Sequence, residues 1–565
     1  MSVALPTRSF AALGALICAL NGTSAFAESV EDRGPMPHAQ AAARIADEKA
    51  RTRKTQASRP RKAAAPDPRG DQPLSVIDWL GQQAPSDPAP QRPPNPSRSS
   101  EPPVAKTAAA PHVSVTPLGE GAPRRIGLVP SSVTGLPSNI WTGTAVKALT
   151  ARIANLPDLH LPAAQALLYT VLLAEAEAPQ GVAREGDALA LARVRKLMEL
   201  GALDPALSLI EQAGVTTSTA HFDLWMQLSL LTGTEDRACA RLMRSPHLTR
   251  DYGTRIFCNA RSGYWENAAL TFGSAQALGL LEPIQLDLFD RFLNPDYFEG
   301  SEPLRAPRQM DPMTFRLFET IGEPLPSNSL PRAYAVADLR DLAGWKSQLE
   351  AAERLTRAGA LPDNQLLGLY TERQPAASGG VWDRVAALQR FETALRTGSA
   401  EAVAKTLPPA WEAMREASLE VSFAALFAEP LSAIPLAGRA AALARDVALL
   451  SPGYEGAARR IIGDGPQERL LRAVARGEVP DGPVPDAHLA SAVHDAFSNP
   501  TPRTDLMALA RDEQLGMAIL RLLSMLHDGA SGDTGALRDA LATLRALGLE
   551  DTARRAALQI VLLEQ

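Results

Sequence analysis

The sequence predicts an all-α fold, a solenoid of antiparallel helix pairs behind a proline-rich N-terminal tail. Three observations carry that expectation. From Ala145 to Leu563, apolar residues recur at three- and four-residue spacing, the period of a helix with one buried face. No run of alternating apolar and polar residues reads as a strand. Most connections are short and carry Gly, Pro, Asp or Asn, which suits antiparallel neighbours. Composition agrees: Ala, Leu and Arg dominate, and aromatics are only 5% of the 565 residues.

In chain order, residues 1–27 read as a secretory signal. Arg8 supplies a positive start and Ser9–Leu20 is apolar. Ala25-Phe26-Ala27 then puts small residues where a signal peptidase reads them, before Glu28. An uncleaved anchor would need about 20 apolar residues. A lipoprotein would need a small residue before its cysteine, where Ile17 precedes Cys18. Cleavage after Ala27 is the expectation. It makes the mature chain periplasmic, with secretion as the runner-up, away from ATP, NAD and nucleic acid. Later apolar stretches do not suit a membrane span: Leu161–Ala174 is too short, and the run from Phe423 is broken by Glu429-Pro430.

Residues 28–122 hold sixteen prolines and little apolar periodicity, the composition of a disordered tether. A flexible coil of roughly 95 residues spans about 50–60 Å. Within it Arg44–Lys62 gathers eight basic residues. They are either a contact for anionic lipid or cell-wall polymer, or a solvated charged stretch. The strongly apolar cluster of the tail is Leu74–Leu80. Its Val76, Ile77, Trp79 and Leu80 form a candidate docking segment, either for an envelope protein partner or for the chain's own body. Residues 28–125 carry a net charge of +4 and those from Ile126 onward a net −11, which argues against a nucleic-acid partner.

Residues 123–143 are expected to form an extended transition, and 144–565 a helical repeat domain with a candidate break at 294–311. The periodicity predicts helices that include Ala145–Ala154, Pro162–Ala178, Glu235–Arg244, Thr249–Arg261, Pro283–Leu293, Ala410–Phe427 and Leu506–Leu526. Some helix pairs share a joint. Gly201, Gly263, Gly548 and, more loosely, Gly344 are each followed by an apolar turn residue, a polar start, and a small or apolar residue five positions on. The Gly supplies a left-handed helix stop, and the small residue lets two helices approach.

This joint resembles the helix–turn–helix unit of tetratricopeptide-like α-solenoids, at superfamily level and over Ala145–Gln565. The Gly intervals are uneven, and no strict 34-residue period runs through them. The resemblance implies a right-handed α-solenoid whose concave face serves protein–protein interaction. An exported α-solenoid is also similar to the superhelical part of soluble lytic transglycosylases, whose catalytic domain is separate. Here helical periodicity continues to Leu563, so that similarity implies architecture and no activity.

The search for chemistry yields three features. Cys239 and Cys258 remain after the signal, on consecutive helical stretches joined at Ser245-Pro246-His247. An even count in an oxidising compartment points to one disulfide, the alternative being two buried thiols. The connection Asn294–Asp311 sets Asp296, Glu299 and Glu302 beside Tyr297 and Phe298. These residues form either a glycan-binding or acid–base loop, or a surface loop pinned by its aromatics. His488 and His494, with Asp495, are a weak metal pattern, since six residues of helix put the two rings on different faces. No catalytic, cofactor or metal motif is read, and no cofactor is expected.

The expected function is a non-catalytic interaction or scaffold protein of the cell envelope. The alternative is an envelope enzyme acting on cell-wall glycan or peptide with carboxylates in or near 294–311, and a small-ligand binder is a third reading. If residues 1–27 are an export signal, N-terminal sequencing of the protein recovered from the periplasm of an expressing cell should begin at Glu28.

Overall fold

The computed structural model describes residues 125–563, apart from 180–182, 341 and 462. The signal, the tether and the docking segment with Val76, Ile77, Trp79 and Leu80 lie outside the described residues. Within them the fold is all-α. The first helices are α1 (Ser131–Thr134), α2 (Val146–Ala154), α3 (Pro162–Leu173), α4 (Ala183–Glu199), α5 (Leu203–Ala213) and α6 (Thr219–Thr232). Next come α7 (Glu235–Arg244), α8 (Tyr252–Arg261), α9 (Trp265–Ala277), α10 (Pro283–Leu293), α11 (Pro312–Thr320) and α12 (Ala335–Asp338). The middle holds α13 (Trp345–Arg357), α14 (Asp363–Glu372), α15 (Val381–Thr397), α16 (Ala400–Glu416), α17 (Glu420–Ser432) and α18 (Gly438–Leu450). The last are α19 (Tyr454–Ala458), α20 (Pro466–Arg476), α21 (His488–Ser498), α22 (Thr504–Arg511), α23 (Leu515–Ala530), α24 (Thr534–Ala546) and α25 (Glu550–Leu563).

Helix stops set the spacing of this chain of helices. After α4, α8 and α24 the residues Gly201, Gly263 and Gly548 sit at φ 84°, 86° and 80°. In each case the next N–H reaches back to the carbonyl five residues earlier, as in Ala202 to Leu197 and Tyr264 to Asn259 at 2.8–2.9 Å. The small residues at the matched position, Ala206, Ala268 and Ala553, are completely buried. Gly344 departs from this pattern. Its φ is −64°, and it is the extended residue that starts α13.

Two expected helices are each two. Ala410–Phe427 divides at Ser418 (φ 53°) between α16 and α17, and Leu506–Leu526 divides at Glu513 (φ 59°) between α22 and α23. Both stops close with the same long backbone bond, Leu419 to Met414 and Gln514 to Leu509. A non-glycine residue at positive φ leaves no mark in the sequence. The reverse error occurs in α16, which runs through Pro408 and Pro409. Its buried Val403, Leu407, Ala410 and Met414 form one continuous stripe against α15, and that packing outweighs the hydrogen bonds the prolines remove.

Neighbours in sequence are mostly neighbours in space, and the chain of helices also closes on itself. The last helix, α25, packs on α3 as well as on α18, α20 and α21, while α23 packs on α2 and α3. Helix α3 is buried on most of its circumference, which explains why its sequence is apolar enough to resemble a short membrane segment. No helix among the described residues is long and apolar enough to cross a membrane.

Buried apolar side chains form two clusters. One joins residues 126–337 to 448–561, and the other fills residues 335–450. The described residues all fall in one compact unit.

The closing joint is tight. The Gly516 N–H donates to the Ile140 carbonyl at 2.9 Å, and the Gly143 N–H donates to the Glu513 carbonyl at 3.2 Å. A Cβ on Gly516 would lie 2.5 Å from the fully buried Trp141 ring. Gly516→Ala should therefore cost about 1–3 kcal/mol through overpacking, despite the helix propensity of alanine. Gly273→Ala, inside α9 where the added methyl meets nothing within 4 Å, should instead gain about 0.5–1 kcal/mol. Urea unfolding midpoints of the two variants, moving in opposite directions, check both.

Candidate functional site

Cys239 on α7 and Cys258 on α8 are bridged, with Cα atoms 4.9 Å apart, and both are buried. The α7–α8 turn is set by Asp251, whose carboxylate accepts from the Thr254 N–H at 2.7 Å and caps α8. Beside the bridge Glu235 is completely buried. Its Oε1 accepts from Arg316 at 2.8 Å, with Arg261 at 3.5 Å, and Arg316 also pairs with Glu319. The hairpin is thus tied covalently to itself and ionically to α11.

The helix that follows is the least covered of the long helices. Only Ala268, Phe272 and Ala275 of α9 are buried. Trp265 is 50% exposed, and its ring meets Phe292 of α10 at 5.8 Å. Leu270 is 73% exposed and Leu278 68%. Between them Ala269, Gly273 and Ala277 are also exposed, at the four-residue spacing of one helix face. The result is an exposed face several turns long on which Trp265, Ala269, Leu270, Gly273 and Ala277 are interspersed with the exposed Glu266, Ser274 and Gln276.

The sequence-predicted loop begins at the far end of α10. Phe298 is half-buried, with the Arg291 guanidinium 5.5 Å from its ring centre. Arg291 also pairs with Glu323 at 2.8 Å and donates to the Glu302 carbonyl. Tyr297 is 86% exposed, and Asp296, Glu299 and Glu302 are exposed too. All three carboxylates are exposed, and the loop is held by a backbone anchor built on Arg291. His494 lies near Asp495 and Ser498, while His488 is exposed and lines a different surface. Among the described residues no group of three or more His, Cys, Asp or Glu is placed to hold a metal ion.

Two cavities follow the open stripe of α3, and both are lined by Pro162, Ala166, Tyr169 and Val421. One, of about 570 Å³, lies against Val129–Leu136 and Gly548–Thr552. The other, of about 400 Å³, is walled by α3, the end of α13, the start of α14 and the start of α17. Two carboxylates line it. Burial pushes the Asp363 carboxyl above its ordinary range, partly offset by a hydrogen bond from Ser422. Burial does the same to Glu420, offset by its own backbone N–H and by Arg415. Sequence reasoning missed both. Glu420 lay inside what reads as one unbroken helix, Ala410–Phe427.

Comparison of the chain with protein-family models, with curated proteins and with solved structures finds no match.

Replacing both bridged cysteines by alanine should cost about 3 kcal/mol, the effect expected for a loop closed across 19 residues. The urea midpoint of the double variant should coincide with that of the wild type in dithiothreitol, apart from the small packing loss of two sulfur atoms.

Proposed function

We propose that this chain is an exported, non-catalytic interaction protein of the cell envelope, and that its helical body docks an apolar helical segment of another exported protein along α9. The observation that carries this reading is the largely uncovered face of α9, with Trp265 and Leu270 exposed on it. Large side chains such as Trp265 and Leu270 standing exposed on one helix are a feature of protein-binding faces. The line Ala269, Gly273, Ala277 permits close approach of a second helix, and Trp265 and Leu270 provide the large side chains that fill a partner's pockets.

Three further features support the reading. The bridged, ion-paired hairpin α7–α8 holds α9 on a stiff base, so little order has to be created on binding. A disulfide fits an oxidising compartment, in line with the export signal read in residues 1–27. The joints at Gly201, Gly263 and Gly548 resemble those of tetratricopeptide-like folds, which work by presenting surfaces. In this reading the tail serves as a tether, and the Trp79 segment is a second contact point for the same assembly.

A photo-reactive residue at position 273 of the exported protein should cross-link a partner chain in the periplasm. Leu270→Glu with Leu278→Glu should abolish that adduct while changing the unfolding midpoint by less than about 0.5 kcal/mol, since both positions are exposed. An adduct that persists in the folded double variant overturns the reading. An adduct made only of two copies of this chain makes the face a self-association surface and also overturns it.

A further inference from the structure

The partner's chemistry is written in the surface around α9, a reading that rests on the docking face proposed above. Eleven large apolar side chains are exposed among the described residues, and six of them fall between residues 264 and 297. They are Tyr264, Trp265, Leu270, Leu278, Leu280 and Tyr297. The same stretch is acidic. From Ser262 to Glu302 the sequence holds seven Asp and Glu residues and one basic residue, Arg291. That is a net of −6 in forty-one residues, more than half of the −11 carried from Ile126 onward.

The charges stand beside the apolar side chains. Helix α10 packs on α9, and Trp265 at the start of α9 meets Phe292 near the end of α10, so the two run antiparallel. Helix α10 turns Leu288 and Phe289 into the core, which leaves Asp287 exposed and Asp290 half-buried on its outer side. Glu266 is exposed in the first turn of α9. Asp296 and Glu299 are exposed in and just after the tight turn Pro295–Phe298, which packs on α10. The neighbouring cations are already engaged. Arg291 pairs with Glu323 at 2.8 Å, and Arg261 at the end of α8 pairs with Asp236 at 2.8 Å. Arg305 and Arg308 follow further along the loop and are too few to neutralise the seven acids.

Such a surface selects what covers it. An anionic membrane or a nucleic acid would meet like charge here. A second copy of the chain docked face to face would bring the same carboxylates. No strand among the described residues offers an edge to an extended peptide. The fitting mode is a helix laid along α9, whose thirteen residues extend about 20 Å. Apolar side chains on one side of that helix meet Trp265 and Leu270, and basic side chains beside them meet Glu266, Asp287 and Asp290. We propose that the partner segment docked on α9 is a basic amphipathic helix, apolar along one stripe and carrying Lys or Arg next to it.

The test is fluorescence anisotropy on the full mature chain with two terminally blocked helical peptides of about eighteen residues. Both carry the same stripe of Leu and Ala. One has Lys at the remaining positions, and the other has Glu. The Lys peptide should bind at least about ten-fold more tightly at low salt, and the gap should narrow as sodium chloride rises from about 50 to about 500 mM. Glu266→Gln, Asp287→Asn and Asp290→Asn together should weaken the Lys peptide about five- to ten-fold and should not weaken the Glu peptide. Leu270→Gln with Leu278→Gln should weaken both peptides without changing the charge of the face. All five positions are exposed or half-buried, so both variants should melt close to the wild type.

Equal affinity for the two peptides, or binding of neither, overturns the proposal. So does a Lys peptide that is insensitive to the acidic triple variant or to the leucine double variant. A partner segment cross-linked at position 273 that lacks Lys and Arg overturns the basic helix and leaves the docking face standing. Failure of both peptides while that adduct still forms does the same.

Discussion

The burial of α3 is the constraint on which the rest of the body depends. A helix apolar on nearly all sides is satisfied only if other helices surround it, and here they come from both ends of the described chain. Its polar backbone ends need the same attention. At the start, the Ala163 N–H, one of the donors that a helix leaves unpaired, is met by the Gln559 side chain of α25 at 2.9 Å. At the other end, Arg193 donates to the carbonyls of Leu172, Ala174 and Ile126 at 2.7–2.9 Å. Burial pushes the Arg193 pKa down to about 10, so the group stays charged at neutral pH and opposes the negative pole of the α3 dipole. The same guanidinium holds the extended segment around Ile126, which bridges to Ala176. One side chain therefore links the entry of the chain to its central helix.

From that centre the arrangement follows two rules. Along the chain, left-handed stops fix where each helix turns back, and neighbours pack as pairs. Across the chain, a few close contacts join distant pairs. Arg152 reaches the Leu520 carbonyl and Ser524, Gly516 admits Trp141, and Gln165 and Tyr169 reach the end of α13. An array that closes in this way leaves its large uncovered apolar surface at a margin. Helix α9 is such a margin, since it packs chiefly on α8 and α10. The proposed docking face sits accordingly, where packing is incomplete.

The sequence was legible wherever one residue type forces one local outcome. Helices such as Glu235–Arg244 and Pro283–Leu293 begin and end where their periodicity and punctuation place them. The Gly stops at 201, 263 and 548 were readable because glycine is the residue that enters the left-handed region freely. Ser418 and Glu513 were not, because their conformations are imposed by packing around them. The candidate site was legible only in part. The cysteine pair was evident from spacing and count. The acidic loop at 294–311 drew attention by its composition, yet its order comes from Arg291, which composition does not single out. Asp363, Thr356 and Glu420 are separated by up to about sixty residues of helix and turn, and nothing local relates them.

By itself the sequence determined the all-α class, the pairing of adjacent helices and the positions of most turns, because these depend on periodicity and on single-residue conformational preference. Tertiary structure alone decided that the ends of the described body meet on α3, that α9 stays uncovered while equally apolar helices are buried, and that Asp363 and Glu420 line one cavity. The physical reason is common to all three. Burial and juxtaposition are set by which surfaces find one another at long range, and the helical period records only that a face is apolar, not what covers it.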